Sequence, residues 1–199
     1  MEKHDLNRRD FFNINAENWD DNPDILTTEK IKKTVLPILN IKKTDAVLDA
    51  ACGTGILIQA LKEKKTKASI WAVDFAEKMI EKAKQKFPDV NFILADVACM
   101  PFENETFTKV VALNSFPHFE DKKNAVKEMA RVLKKKGTLV IAHTNSKCRI
   151  DAHHRKIGGI IAEDMLPTNE NLSEILLESG FSNIEFTDNE EFYIIKASK

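Results

Sequence analysis

From about residue 44 the chain alternates short, β-branched apolar runs with stretches whose apolar residues recur at helical spacing. No other feature constrains the fold as strongly, because strands separated by helices pair in parallel and need cover on both faces. Ala46-Val47-Leu48 reads as a first strand ending at Asp49, and Ser69 to Val73 as a second ending at Asp74. Asn91 to Ala95 reads as a third ending at Asp96, with Phe107 to Leu113 and Thr138 to Ala142 as the fourth and fifth. Such near-continuous apolar runs suit central strands buried on both faces. Met79, Ile80, Ala83 and Phe87 mark one helix between them, and Ala125, Val126, Met129, Val132 and Leu133 another.

The flanks read differently. Residues 144 to 168 form an irregular, polar stretch expected to cover a substrate. Pro167-Thr168-Asn169 then starts a helix with Leu172, Ile175 and Leu176 on its apolar face and Gly180 as its stop. Asn183 to Phe186 and Phe192 to Ile195 follow as strands whose short connection allows a hairpin and no crossover helix. Residues 1 to 43 read as an N-terminal helical extension or lid. Thr27 or Thr28 would cap a helix presenting Ile31, Val35, Ile38 and Leu39, with Pro37 as a kink. Without repeats or a linker, the expectation is one domain over 1–199, with an α/β core from 44.

Charge and composition exclude several classes of function. Thirty Lys and Arg against 31 Asp and Glu leave a net charge of −1, which offers no basic surface for nucleic acid. The runs at 62–67 and 134–136 are expected near helix ends, where cations complement the helix dipole. Cys52, Cys99 and Cys148 are odd in number and lack C-x-x-C spacing, arguing for a reducing cytoplasm and against a zinc ribbon. The first residues lack the apolar stretch of a signal peptide, and no apolar run approaches a membrane span. The expected partner is a small molecule, with no nucleic acid and no membrane; the oligomeric state is not written in the sequence.

Ligands of open α/β sheets bind outside the carboxyl ends of the strands. Three successive strands end there in an acid. Any one of Asp49, Asp74 and Asp96 could be a helix cap, but three beside a Gly-x-Gly turn point to a site. Glycine at 53 and 55 lets the backbone turn sharply and approach a ligand closely. Asp74 follows Asp49 at close to the interval used for a ribose-binding acid, and a carboxylate accepts from both hydroxyls of a diol.

Val47-Leu48-Asp49-Ala50-Ala51-Cys52-Gly53-Thr54-Gly55 resembles the first motif of the class I S-adenosylmethionine-dependent methyltransferases. Val73-Asp74-Phe75-Ala76-Glu77-Lys78-Met79 resembles the second, and Asp96-Val97 with Met100-Pro101-Phe102 the third. The passages 130–139 and 178–181 are similar to the family's entries into strands five and six. The resemblance implies a Rossmann-like, mostly parallel seven-stranded sheet of order 3-2-1-4-5-7-6, strand 7 antiparallel, with helices on both faces. It implies S-adenosylmethionine as cofactor and S-adenosylhomocysteine as product. Asp49, Ala51, Gly53 and Gly55 would stand at the methionine end, Asp74, Phe75 and Met79 at the ribose and adenine, and Asp96 with Val97 at the adenine. Asn114 opens the segment that faces the methyl group. Ala51 departs from the family pattern, where a glycine is usual. An NAD reading fares worse, because no third glycine follows Gly55 to seat a pyrophosphate.

Methyl transfer from a sulfonium requires alignment, exclusion of water and sometimes removal of a proton. His118 after strand four and His143 at the end of strand five are the expected catalytic bases near one crevice. Polar loop residues are the plainer alternative, and no spacing supports a metal site among the histidines. His153, His154, Gly158 and Gly159 are assigned to the substrate wall. Phe12 and Trp19, with Phe11, are assigned to a lid or to plain packing of the extension. A non-catalytic module that binds the same nucleoside stands as the alternative function.

Overall fold

Val47, Leu48 and Ala50 are fully buried, as a strand covered on both faces requires, and they lie in the middle of a seven-stranded sheet. The computed structural model describes residues 7–21 and 28–199. The strands are β1 (Ala46–Ala50), β2 (Ser69–Asp74), β3 (Asn91–Leu94), β4 (Phe107–Leu113), β5 (Leu133–His143), β6 (Ser182–Asp188) and β7 (Tyr193–Ser198). Their order is β3-β2-β1-β4-β5-β7-β6, with β7 antiparallel to both β5 and β6. This is the Rossmann-like order that the motifs imply.

Alternate residues of a strand face opposite sides, and the core divides accordingly. Leu48, Val110, Leu139 and Ile141 pack under α5 (Lys122–Val132) and α7 (Asn169–Glu178). Val47, Val111, Leu113 and Val140 pack against Ile31, Val35 and Leu39 of α2 (Thr28–Leu39) and Leu57 and Leu61 of α3 (Ile56–Glu63). A smaller cluster joins Ile58 and Ala72 to Ile80 and Ala83 of α4 (Glu77–Lys86). Each of the central strands therefore feeds two cores, which explains the lack of a polar face in their sequences.

Several boundaries differ from the sequence expectation. The stretch 144–168 is not irregular throughout: it holds α6 (Lys147–Ile157) and a 3-10 turn, Gly159–Ile161. Only Ile150 and His154 of α6 are buried, so the helix carries no apolar stripe to betray it. Lys134 to Lys136 follow the end of α5 closely, as expected, but not in a free turn. They belong to the irregular start of β5, where Lys136 takes φ +64° and its N–H donates to the Lys199 carbonyl at 2.6 Å. β3 stops at Leu94, leaving Asp96 just beyond the strand. α2 continues through Pro37 to Leu39; Thr27 lies outside the described residues. Gly180 stops α7 as expected, with φ +88° and the Phe181 N–H donating to the Leu176 carbonyl at 3.0 Å.

The extension contributes α1 (Arg8–Asn15), capped by the Asn7 side chain, and a 3-10 turn, Ala16–Asp21. Phe12 and Ala16 are buried against Ala76 and Met79, with Phe11, Trp19 and Phe75 packed around them. Polar contacts tie the same segment down: Asn13 Nδ2 donates to Glu77 Oε2 at 2.8 Å, and Thr54 Oγ1 donates to Asp20 Oδ1 at 2.6 Å. Among the described residues no helix is long and apolar enough to cross a membrane.

Candidate active site

The loop after β1 is built by backbone conformation. Ala51, Gly53 and Gly55 take φ of +63°, +54° and +92°, and the Cys52 N–H donates to the Val73 carbonyl of β2 at 2.9 Å. The two glycines serve different ends. A Cβ on Gly53 would meet nothing within 4 Å, whereas one on Gly55 would come 2.9 Å from the Phe87 ring. Gly53 therefore keeps space free, and Gly55 lets α3 start close against the end of α4. Gly55 does not line the cavity.

That cavity measures about 970 Å³, at the upper end of what small-molecule sites occupy. It opens above the carboxyl ends of β1, β2 and β4, with Ala51, Gly53, Asp74, Phe75, Met79 and Val97 at one end. Asn114, His118, His143, His153 and His154 line it too, and Phe12 and Trp19 close it from α1 and the turn that follows. The fold thus brings to one chamber nearly every residue singled out from the sequence. Gly158 and Gly159 are exceptions. They terminate α6, the Gly158 N–H donating to the His154 carbonyl at 3.1 Å, and neither lines the chamber.

The acids differ in setting. Asp74, the last residue of β2, is buried. Its Oδ2 accepts from the Gly53 N–H at 2.8 Å and its Oδ1 from the Ala76 N–H at 2.9 Å. Burial raises its carboxyl to about 6 although these N–H groups oppose the rise. Asp96 is exposed on the rim, its Oδ1 accepting from the Ala98 N–H at 2.8 Å. Asp49 lies within β1, behind the wall of the chamber. It is fully buried, its Oδ2 has no partner among the described residues, and burial with the Asp74 charge pushes it up to about 8.

The histidines separate as well. His143 is 3% exposed and its Nε2 is buried without a partner among the described residues. Burial first, then the neighbouring His118 and His154, push it down to about 3, so it is a neutral imidazole at physiological pH. His118 Nδ1 lies 2.7 Å from Asp164 Oδ2. Its ring meets Phe12 edge-on at 5.1 Å and His154 at 4.7 Å between centroids. Asn114, at φ +54°, accepts on Oδ1 from the Thr144 N–H at 3.1 Å, joining the ends of β4 and β5. Among the described residues no group of three His, Cys, Asp or Glu is placed to hold a metal ion.

Residues 47–137, which build this loop and the acidic end of the chamber, match the family profile described as "Methyltransferase domain". The demethylmenaquinone methyltransferase of Thermotoga maritima is 35% identical over 112 residues, 56% of this chain and 49% of that protein. Residues 47–137 thus form a methyltransferase domain of the class I S-adenosylmethionine-dependent type. Solved structures show the same fold over this chain's whole length. A Methanococcus maripaludis protein, provisionally described as an S-adenosyl-L-methionine-dependent methyltransferase, superimposes with a TM-score of 0.78 at 24% identity, covering 100% of this chain and 97% of that one. Phosphoethanolamine N-methyltransferase 2 of Haemonchus contortus, solved with S-adenosyl-L-methionine, gives 0.76 at 16% identity, over 100% of this chain and 61% of that one. The chain spans about half the length of the curated quinone methyltransferases it matches.

Sequence reasoning placed Asp164 in the stretch expected to cover the substrate but missed its partner in the site, Arg8. Arg8, near the start of the chain, holds Asp164 from the far side of the chamber, with Nη2 to Oδ1 at 2.6 Å. No local pattern marks their pairing, since they meet only because α1 folds across the strand ends.

Proposed function

We propose that this chain transfers a methyl group from S-adenosylmethionine to a small-molecule acceptor carrying an aromatic or quinol ring. The observation that carries the reading is the continuity of the chamber, which joins the acidic ends of the first strands to the histidines after β4 and β5. When bound, S-adenosylmethionine supplies a methyl group on a sulfonium sulfur and leaves as S-adenosylhomocysteine.

The residues present suit that donor. Asp74 retains a lone pair on each oxygen beyond its bonds from Gly53 and Ala76, enough to accept from two ribose hydroxyls. Phe75, Met79 and Val97 offer apolar walls to a purine, and Asp96 an acceptor at its edge. Gly53 leaves open space where a side chain would intrude, with Ala51 and Gly55 shaping the turn. Beneath this turn, the unpartnered Asp49 oxygen offers counter-charge to an ammonium, which would draw off the proton that burial favours. Asn114 ties the ends of β4 and β5 together on the side that would face the methyl group.

On the acceptor side His118 takes the proton, and the neutral His143 offers a hydrogen bond. Phe12 and Trp19 exclude water from above, while His153 and His154 form the wall. The ring-bearing acceptor is supported by these aromatic walls and by the Thermotoga relative, which is named a demethylmenaquinone methyltransferase. A donor tritiated on its methyl group, incubated with a small-molecule cell extract, should label a low-molecular-weight acceptor and yield S-adenosylhomocysteine in equal amount. Donor binding with no acceptor-dependent label would leave the chain a nucleoside-binding module, and label confined to macromolecules would overturn the small-molecule assignment.

A further inference from the structure

Asp164 joins three segments that the sequence keeps apart. It follows α6 and is 2% exposed. Its Oδ2 meets His118 Nδ1 at 2.7 Å, and its Oδ1 accepts from Arg8 Nη2 at 2.6 Å and Nε at 3.0 Å. Arg8 opens α1, and its Nη1 also donates to Glu120 Oε1 at 3.1 Å. Burial alone would raise the Asp164 carboxyl, but the bonds and charge of His118 and Arg8 outweigh it and hold it at about 2. It is therefore an anion at every physiological pH.

An ionised carboxylate only accepts, so His118 Nδ1 carries the proton and donates it to Asp164. Nε2 keeps its lone pair for the chamber that His118 lines. We infer that Asp164 is the positioning residue that sets His118 as a base, and that Arg8 makes this arrangement depend on α1 being docked across the chamber. The inference rests on the methyl-transfer reading above. The acceptor's nucleophilic atom gives its proton to His118 Nε2 as it bonds to the methyl carbon. The electron pair of the broken carbon–sulfur bond stays on sulfur, and the imidazolium later returns its proton to water.

The Arg8 guanidinium ties the Asp164 carboxylate to α1, so docking of α1 both closes the chamber and holds Asp164 against His118. The other titratable groups near His118 are His143 and His154, while the exposed Glu120 pairs with Arg8. Lys122 lies on the same side, its ammonium donating to the Pro117 and Phe119 carbonyls at 2.8 and 2.9 Å. None of these reaches Nδ1 in place of Asp164.

The tautomer of His118, read from its 15N side-chain resonances, tests the inference without turnover. The intact chain should show neutral His118 as the Nδ1–H form. In Asp164→Asn the amide oxygen stays on Arg8 and its NH2 faces His118, which should reverse the tautomer and lower kcat ~10²-fold or more while donor affinity holds. Arg8→Gln should speed amide exchange over residues 8–15 by roughly tenfold. An unchanged tautomer in folded Asp164→Asn, or unchanged α1 exchange in Arg8→Gln, would overturn it. Should Asp164→Asn fail to fold, Arg8→Gln still decides, because Arg8 is partly exposed. An intact chain that shows the Nδ1–H tautomer yet labels no acceptor would sink the methyl-transfer reading and leave the Asp164 assignment standing.

Discussion

Ala51 occupies a left-handed conformation, φ +63°, that glycine adopts without penalty. For an L-residue with a Cβ this costs about 1–2 kcal/mol, of which the greater chain entropy of an unfolded glycine recovers about 0.4–1 kcal/mol on substitution. Ala51→Gly should therefore stabilise the chain by about 0.5–1 kcal/mol and raise Tm by roughly 1–4 °C; a lower Tm in thermal melts would show that the loop gains more from the methyl group than the conformation loses. The sequence marked Ala51 as a departure from its family's pattern. That the backbone keeps the glycine conformation without the glycine is visible only in the fold. Gly53 and Gly55 make the complementary point: one motif, two reasons, an open space and a close approach to Phe87.

Among the elements, α6 is the one that sequence patterning did not reveal. Helices that bury a stripe declare themselves by periodicity, but α6 lies on the rim and buries only Ile150 and His154. Its local signals are Ser146, whose Oγ accepts from the Arg149 N–H at 3.4 Å, and the glycine pair at its end. Gly158 adopts φ +75° and ψ −163°, a region essentially closed to other residues. Gly158→Ala should cost about 1–3 kcal/mol of stability in urea unfolding and leave donor affinity unchanged, because Gly158 only shapes the wall. Weakened donor binding at unchanged stability would return the pair to a direct role. The central strands are the opposite case. Each feeds two cores, so their runs are apolar throughout, and β1, β2 and β4 lie where the sequence places them. The lengthening of β5 to Leu133 depends on partners in β4 and at the C-terminus, which no local run encodes.

At the scale of the molecule, folding collects buried charge and sets the pH dependence. Burial pushes the Asp49 carboxyl up to about 8 in the folded chain, against an ordinary 3.8, and the Asp74 carboxyl up to about 6. Between those limits the native chain binds more protons than the unfolded one, so both groups make stability fall as pH rises. His143, about 3 when folded against 6.5, acts in the other direction, its contribution being lost as pH falls below about 6.5. The slopes oppose one another in acid, and the clean window runs from about pH 6.5 to 8, where Asp49 still titrates. Without ligand, stability should fall across that window. Asn at position 49 should flatten the fall, leave the variant more stable at pH 8 by on the order of 2 kcal/mol, and weaken donor binding. Parallel pH profiles by calorimetric melting would show that Asp49 is already ionised in the free chain.

Alternation of apolar runs, three acids at successive strand ends and a Gly-x-Gly turn were enough to determine a mostly parallel α/β sheet and the acidic end of the chamber. The strand order followed only from the family resemblance of those motifs. These features are legible because hydrophobic periodicity and backbone conformation act over a few residues at a time. Tertiary structure alone decided that Asp49 and His143 lose their water, that α1 roofs the chamber, and that Arg8 and Asp164 meet across it. Desolvation and ion pairing depend on what arrives from distant parts of the chain, and in this molecule they distinguish His118, oriented by a carboxylate, from the other histidines on the wall.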